Sequence, residues 1–162
     1  MKPLISDSLK LSLVAQMGHE IYNAHIYLYV AAYLNSKGLS NLAKHFEGQN
    51  KEEIEHSLIL YNLLTDLGVA FDMPEIPPCN MPFNMMSEIS TLYLEREFLT
   101  TSNLDDIKKQ SILDSNPVVE EKLREMISKQ QHEYREATDM FDKASILTEW
   151  WQVSLWDMSM EG

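Results

Sequence analysis

Four long segments in which apolar residues recur every three or four positions constrain the fold of this chain most strongly. Glycine, proline and N-cap residues mark the breaks between them, at Lys37-Gly38, at Gly68 and at Asp114-Ser115-Asn116-Pro117. The spacing therefore predicts helices over about 7–36, 40–67, 85–113 and 117–144. Ser40 and Asn41 are both suitable N-caps for the second helix. The tail, residues 146–162, can add a short fifth helix.

The lengths of the connections predict how these helices pack. Two connections are tight, which makes the helices that they join antiparallel neighbours. The third connection, between the second and third helices, contains Pro74, Pro77, Pro78 and Pro82 and cannot be helical. About 16 extended residues reach roughly 50 Å, more than the ~42 Å length of a helix of about 28 residues. We predict an all-α fold: a four-helix bundle with one long crossover, in a single domain over 1–162 (bundle about 7–145).

The composition narrows the classes of partner. A formal net charge of -12 argues against nucleic acid and against an anionic membrane surface as partners. The one cysteine, Cys79, excludes an intramolecular disulfide and a Cys-x-x-Cys metal site, and its Pro-rich surroundings predict a loop thiol. The N-terminal residues contain no long apolar run, so a cytoplasmic location is the expectation.

Each of the four predicted helices has a carboxylate near the middle of its core-facing side. Taking core positions at alternating steps of three and four selects Glu20, Glu53, Glu97 and Glu133, with apolar residues further along on both sides. The same positions include Gln49 and Gln130. Unpaired buried carboxylates cost several kcal/mol each and repel one another. Two divalent cations would balance the four negative charges.

The stretch QNKEEIEHSLIL adds an imidazole to this set. Glu53 and His56 are three residues apart, so they project from one helical face and can serve one metal ion. A single Glu-x-x-His is common on solvated helices, but carboxylates at one depth on four helices indicate a dimetal site. Oxygen-rich ligands with one imidazole and no thiolate favour iron or manganese over a structural zinc site, although zinc is still able to compete.

The sequence indicates the roles of other polar and aromatic residues near these positions less specifically. Tyr27 lies two turns from Glu20 on the same face, where it is either a redox-active residue or a core tyrosine with a satisfied hydroxyl. The remaining histidines are read as surface or hydrogen-bonded residues: His19, His25, His45 and His132.

Four stretches resemble the bacterial non-haem ferritins and, more loosely, the H-type chain of animal ferritins. They are GHEIYNAHIYLY, HFEGQNKEEIEHSLIL, EREFLTTSNLDDI and SKQQHEYRE. The resemblance covers about residues 9–144. It implies an iron-storage subunit of a homo-oligomeric cage of 24 subunits, which binds Fe(II), oxidises it with O2 or H2O2 and stores Fe(III) mineral. No haem is expected.

The resemblance also implies how two iron ions would be held. One would be bound by Glu20, Glu53 and His56. The second would be bound by Glu53 as a bridging ligand, Glu97 and Glu133. Gln130 would lie near the side where oxygen binds, and Tyr27 beside the site. On the third helix the family pattern selects Glu97 over Glu95, because the spacing back from Gln130 then needs no gap.

Two regions depart from the family pattern. Bacterial ferritins often have a third iron site, for which Glu52 and Glu133 match, but Lys129 and His132 stand where two further glutamates are expected. A protonated lysine cannot ligate iron and repels cations, so the third site is expected to be altered or lost. The C-terminal segment lacks the family's glycine-containing turn and carries three tryptophans: Trp150, Trp151 and Trp156.

Two other functions compete with iron storage. The first is a different di-iron carboxylate protein, such as a rubrerythrin-like peroxidase or an oxygenase. Those families usually have a second Glu-x-x-His on the fourth helix, where this chain has Gln130 and Glu133. The second is a metal-free helical interaction protein with solvated glutamates, which would bind no metal and would tolerate replacement of those residues.

Overall fold

The computed structural model describes residues 4–160, so residues 1–3 and 161–162 of the predicted single domain lie outside the described part. Five helices form in chain order: α1 Asp7–Ser36, α2 Ser40–Asp66, α3 Met86–Leu113, α4 Pro117–Ser145 and α5 Trp150–Ser159. Residues 4–160 contain no strand. The predicted all-α class is confirmed, and the four bundle helices start and end within a residue or so of the predicted positions. No helix within this range is long and apolar enough to cross a membrane.

The helices pack as two antiparallel pairs, α1 with α2 and α3 with α4. The crossover between α2 and α3 runs along the outside of α1. Hydroxyl groups of α1 fasten it there: Tyr29 donates to the carbonyl of Met81 at 2.7 Å, and Tyr33 donates to the carbonyl of Phe83 at 2.9 Å. The crossover thus returns the chain to the end of the bundle where α2 began, and α3 runs parallel to α2.

A glycine in α1 lets the crossover approach closely. A Cβ atom at Gly18 would lie 2.9 Å from both Cβ and Cγ of Pro74, nearer than side-chain carbons pack. Helical glycine usually costs stability relative to alanine, so its presence here is explained by this contact.

The ends of the helices follow the sequence signals, with one exception. The side chain of Ser6 caps α1, and Asn116 with Pro117 begins α4; Gly38 and Gly68 take positive φ after α1 and α2. Neither Ser40 nor Asn41 is the N-cap of α2, so that prediction was wrong.

The N-cap position of α2 is Leu39, whose side chain cannot accept a hydrogen bond. A residue of α5 supplies the acceptor instead: Asp157 Oδ1 accepts from the backbone N–H of Leu42 at 2.7 Å. The backbone carbonyl of Asp157 in turn accepts from the side chain of Asn41. The short fifth helix is therefore attached to the bundle through the N-terminus of α2.

The apolar interior is split in two along the bundle axis. One cluster, near the α5 end, includes Leu34, Phe46, Met86 and Ala137. The other, near the opposite end, includes Leu13, Leu60, Leu104 and Leu123. The predicted core positions of α1, α2 and α4 are buried, apart from His56, which is half-buried. On α3 the alternating steps of three and four select Leu94 and Thr101 as core positions, and this prediction was one residue out at both places. Tyr93 and Thr100 are buried, whereas Leu94 and Thr101 are half-buried.

Candidate metal centre

A layer of polar side chains lies between the two apolar clusters. Glu20, Glu53 and Glu97 are fully buried, and Gln130 and Glu133 are nearly so, with exposed fractions of 2% and 5%. Each of the four bundle helices contributes at least one of these residues. Burial at this depth excludes the reading in which the glutamates are solvated on the surface of a helical protein.

The ligand atoms of this layer form two overlapping groups. In each group the nearest side-chain atoms lie within 4.8 Å of one another, close enough for one metal ion to contact all three. The first group is Glu20, Glu53 and His56, and the second is Glu53, Glu97 and Glu133. Glu53 belongs to both groups, so its carboxylate faces two neighbouring positions at once.

His56 stands at the edge of the layer, with 11% of its side chain exposed. Its Nδ1 atom is 3.9 Å from Glu20 Oε2 and 3.9 Å from Glu53 Oε2, and its Nε2 atom is 3.3 Å from Glu133 Oε1. The two Nδ1 distances are too long for hydrogen bonds. The imidazole thus adjoins both groups without being hydrogen-bonded to the first.

Glu97 is the one carboxylate of the layer with several hydrogen-bond donors. The Tyr27 hydroxyl donates to Glu97 Oε1 at 2.5 Å, and Gln130 Nε2 donates to Glu97 Oε2 at 2.6 Å. The hydroxyl of Tyr27 is therefore satisfied, a state that is compatible with both predicted roles of this tyrosine. Glu95, the alternative on α3, is exposed and belongs to neither ligand group.

Most other oxygens of the layer lack such donors, although Glu20 Oε1 accepts a hydrogen bond from Gln16 Nε2 at 2.9 Å. Both carboxylate oxygens of Glu53 are buried and receive no hydrogen bond from the described residues, and one oxygen each of Glu20, Gln130 and Glu133 is in the same state. Buried polar atoms without partners are rare and costly. Carboxylate and amide oxygens that converge on one place and receive no hydrogen bonds are suitable ligands for divalent cations. The residues of the layer therefore fit a pair of metal ions.

The electrostatics of the layer favour uptake of protons in the absence of metal. Burial, followed by repulsion from Glu20, raises the pKa of Glu53 well above its ordinary value. Burial raises the pKa of Glu97 as well, although the hydrogen bonds from Tyr27 and Gln130 oppose the rise. Burial and the charge of Glu97 raise the pKa of Glu133 to about 9. Cations that bind here therefore compete with protons.

A surface pocket of about 300 Å³ adjoins the layer. His56 and Glu133 form its inner wall, and its rim carries Glu52, Lys129 and His132. Within residues 4–160 no group of three ligands includes Glu52. His132 Nε2 lies 3.2 Å from Glu136 Oε1 and both are exposed. The expectation of an altered or lost third site stays a prediction. The pocket brings solvent-accessible space up to His56 and Glu133.

The remaining histidines fall into the predicted categories of surface and hydrogen-bonded residues. His25 is exposed. His19 is half-buried and bonded on both ring nitrogens, to Thr100 at 2.7 Å and to Arg96 at 3.0 Å. Burial lowers the pKa of His19 to about 4, so the ring is neutral. His45 adjoins the hydroxyl of Tyr93.

Sequence reasoning did not single out Tyr93, Thr100 or Arg96. Tyr93 and Thr100 could have been found from their spacing, since they lie one turn either side of Glu97 on the same helix face.

A four-helix bundle with carboxylates from every helix meeting at mid-depth is the architecture of the ferritin-like dimetal carboxylate proteins. The model of the Ferritin-like domain family matches residues 11–146, which is most of the chain. The chain belongs to the ferritin family.

Similar sequences and structures agree with this membership. The chain is 30% identical over 110 residues to a bacterial non-heme ferritin of Staphylococcus aureus, a match covering 66% of this chain and 66% of the relative. It is 30% identical over 89 residues to ferritin BfrB of Mycobacterium tuberculosis, covering 55% of this chain and 49% of that protein. The matched region thus spans about two thirds or less of these relatives' lengths.

Solved structures share the fold over nearly the whole chain. An open pore ferritin from the hyperthermophilic archaeon Archaeoglobus fulgidus superposes with a TM-score of 0.90 at 20% identity, covering 98% of both chains. A ferritin of Chlorobium tepidum superposes with a TM-score of 0.85 at 21% identity, covering 88% of both chains.

Proposed function

We propose that this protein is an iron-storage subunit that binds two Fe(II) ions in the polar layer, oxidises them with O2 or H2O2 and releases Fe(III) to a mineral. Glu20, Glu53 and His56 hold one ion. Glu53, Glu97 and Glu133 hold the other, with Gln130 beside them. The ferroxidase activity, the two-iron stoichiometry and the ligand roles are all parts of this proposal.

The observation that carries the proposal is the position of Glu53 in two ligand groups. A carboxylate that has two unpartnered buried oxygens and belongs to both groups is suited to bridge two cations. Two adjacent ions together supply the electrons for a two-electron reduction of an oxygen species, because each Fe(II) supplies one electron. A single-ion site would leave one of the groups unexplained.

The protein's part in the chemistry is electrostatic. Four carboxylates in a water-poor layer attract Fe(II), and they stabilise the higher charge of Fe(III) more strongly, which favours oxidation. Binding displaces protons from Glu53, Glu97 and Glu133, whose pKa values are raised in the metal-free protein. The Tyr27 hydroxyl orients Glu97 through its hydrogen bond.

Storage requires assembly, and we propose a homo-oligomeric cage of 24 subunits located in the cytoplasm. In the single chain, large apolar side chains are exposed on the outer faces of α1 and α2; they include Leu28, Ile54, Leu58 and Tyr61. Exposed apolar groups on one face support burial against another subunit. Light scattering of the purified protein tests the size of the assembly directly.

The main experiment adds Fe(II) aerobically to metal-free protein and follows oxidation by absorbance, together with the iron retained after gel filtration. Glu53→Ala is expected to abolish rapid oxidation, because it removes a ligand from both groups. Glu97→Ala is expected to slow oxidation strongly. Glu95→Ala is the matched control on the same helix, with an exposed carboxylate, and should behave as wild type.

The outcomes separate the competing functions. Rapid oxidation with no retained mineral would favour a di-iron peroxidase or oxygenase over a storage protein. No iron uptake at all would refute the metal-centre proposal. If Glu95→Ala lost activity and Glu97→Ala kept it, the assignment on α3 would be wrong.

A further inference from the structure

An aromatic cluster extends from the polar layer to the half-buried edge of α2. Its members are Tyr27, Phe46, Tyr93 and His45. The rings of Tyr27 and Tyr93 meet edge to face with centroids 5.3 Å apart, and Phe46 contacts both, at 6.0 Å and 5.1 Å. Since Tyr27 is bonded to Glu97, the cluster connects a proposed iron ligand to a second buried phenol through direct ring contact.

Tyr93 is buried, with 1% of its surface exposed, and its hydroxyl lies 3.3 Å from Nε2 of His45. No other hydrogen-bond partner of this hydroxyl is found among residues 4–160. Burial raises the pKa of Tyr93 and lowers that of His45, so the phenol keeps its proton and the imidazole keeps a free lone pair. The carboxylates of Glu52 and Glu136 lie near enough to His45 to favour its protonated form.

We propose that Tyr93 is a reserve electron donor to the iron centre, acting through Tyr27, and that His45 accepts the phenolic proton when Tyr93 is oxidised. A buried tyrosine is hard to oxidise unless its proton has somewhere to go, because a charged phenol radical in an apolar site is costly. His45 supplies that acceptor within hydrogen-bond reach, and ring contact with Tyr27 supplies the electronic path.

The step balances when one Fe(II) meets hydrogen peroxide. Peroxide takes one electron from Fe(II) and one from Tyr27, and with two protons from solvent its O–O bond breaks to give two waters and Fe(III). Oxidised Tyr27 leaves its proton on Glu97. Tyr93 then passes one electron to Tyr27, which recovers the proton from Glu97. The phenolic proton of Tyr93 moves to His45, so the products are a neutral Tyr93 radical and a protonated His45.

This inference rests on the proposed function, since Fe(II) must be oxidised in the polar layer. The test loads metal-free protein with one Fe(II) per subunit, adds hydrogen peroxide and freezes the sample for electron paramagnetic resonance. A parallel sample with a spin trap is digested, and the modified tyrosines are identified by peptide mass spectrometry. The proteins compared are wild type, Tyr93→Phe, Tyr27→Phe, His45→Gln and the control Tyr33→Phe.

The wild type is expected to give tyrosyl radical with trap adducts at residue 93. Tyr93→Phe should lose those adducts while radical at Tyr27 persists. Tyr27→Phe should lose both radicals, because Tyr93 is then cut off from the centre. His45→Gln should lose the Tyr93 radical, since a neutral amide does not take up the proton. Tyr33→Phe, which also loses one phenolic hydrogen bond, should match wild type.

Two results would overturn the inference while leaving the proposed function intact. One is Fe(II) oxidation in wild type with no adduct at residue 93. The other is an undiminished adduct at residue 93 in Tyr27→Phe or in His45→Gln. Absence of Fe(II) oxidation in wild type would refute the proposed function and the inference together.

Discussion

Replacing Glu133 by glutamine should stabilise the metal-free protein at neutral pH. Glu133 is buried in the polar layer, one of its oxygens lacks a hydrogen-bond partner, and its pKa is raised to about 9 from 4.5. A folded-state pKa above the unfolded value means that folding binds a proton. The associated stability is therefore complete below pH 4.5 and is lost as the pH rises towards 9.

The size of the effect follows from that difference in pKa. At pH 7 the unfolded chain has released the Glu133 proton and the folded protein retains it, so folding requires protonation at a pH about 2.5 above the ordinary pKa. At about 1.4 kcal/mol for each pH unit, this lowers the free energy of unfolding by about 3 kcal/mol. Glutamine has a similar shape and no proton to take up, so Glu133→Gln should regain about 3 kcal/mol.

The assay is urea unfolding of chelator-treated protein at pH 7 and at pH 4, with all variants at one protein concentration, since assembly affects apparent stability. Glu125→Gln is the control: it lies on the same helix with an exposed side chain paired to Lys122, and should change the free energy of unfolding by less than about 0.5 kcal/mol. The gain from Glu133→Gln should disappear at pH 4. Saturating Mn(II) should stabilise wild type more than the variant.

A wild type that is as stable as Glu133→Gln at pH 7, or a gain of equal size at pH 4 and pH 7, would refute the reasoning. Either result would mean that Glu133 is ionised without cost in the folded protein. The ionised carboxylates of the layer would then need no cations to balance their charge, and the electrostatic argument for a metal centre would fail.

Four further substitutions test the packing and the backbone conformation of the bundle by urea unfolding. Gly18→Ala should destabilise by about 1–3 kcal/mol because the new Cβ meets the crossover proline, whereas Gly48→Ala, whose Cβ meets nothing within 4 Å, should stabilise by about 0.5–1 kcal/mol. Asp157→Ala removes the acceptor for Leu42 N–H and should cost about 1–2 kcal/mol, with faster proteolysis before α5. Ser115→Gly relieves a φ of 53° and should stabilise by about 0.5–1 kcal/mol. Opposite signs in any of these would contradict the packing described.

The bundle was predictable because local signals and periodicity agreed in it. Gly38, Gly68 and Pro117 end or begin helices for reasons of backbone conformation that do not depend on tertiary contacts. The depth of Glu20, Glu53 and Glu133 followed from counting along helices whose apolar positions were regular. The burial of Tyr93, four residues before Glu97, was missed because the apolar residues of α3 are irregularly spaced.

Other features depend on contacts between parts distant in sequence, which one sequence does not reveal. No local rule indicates that Asp157 of α5 would cap α2, since 115 residues separate it from Leu42. The same holds for the contact between Gly18 and Pro74, and for the pairing of Tyr93 with His45. Those features needed the packed helices before they could be identified.

Glu97 and Glu53 differ in one respect that bears on how the proposed centre would fill. Glu97 already accepts hydrogen bonds from Tyr27 and Gln130, whereas Glu53 accepts none from the described residues. A cation that binds beside Glu97 competes with two donors, one on each carboxylate oxygen. A cation that binds between Glu20 and His56 meets one bonded oxygen, Glu20 Oε1, and the free oxygens of Glu53 and Glu20 Oε2. In the proposed centre the two ions would therefore enter in sequence, with the position nearest His56 occupied first. Each subunit would then hold a single ion for part of the time, and this state would be most populated when little Fe(II) is available.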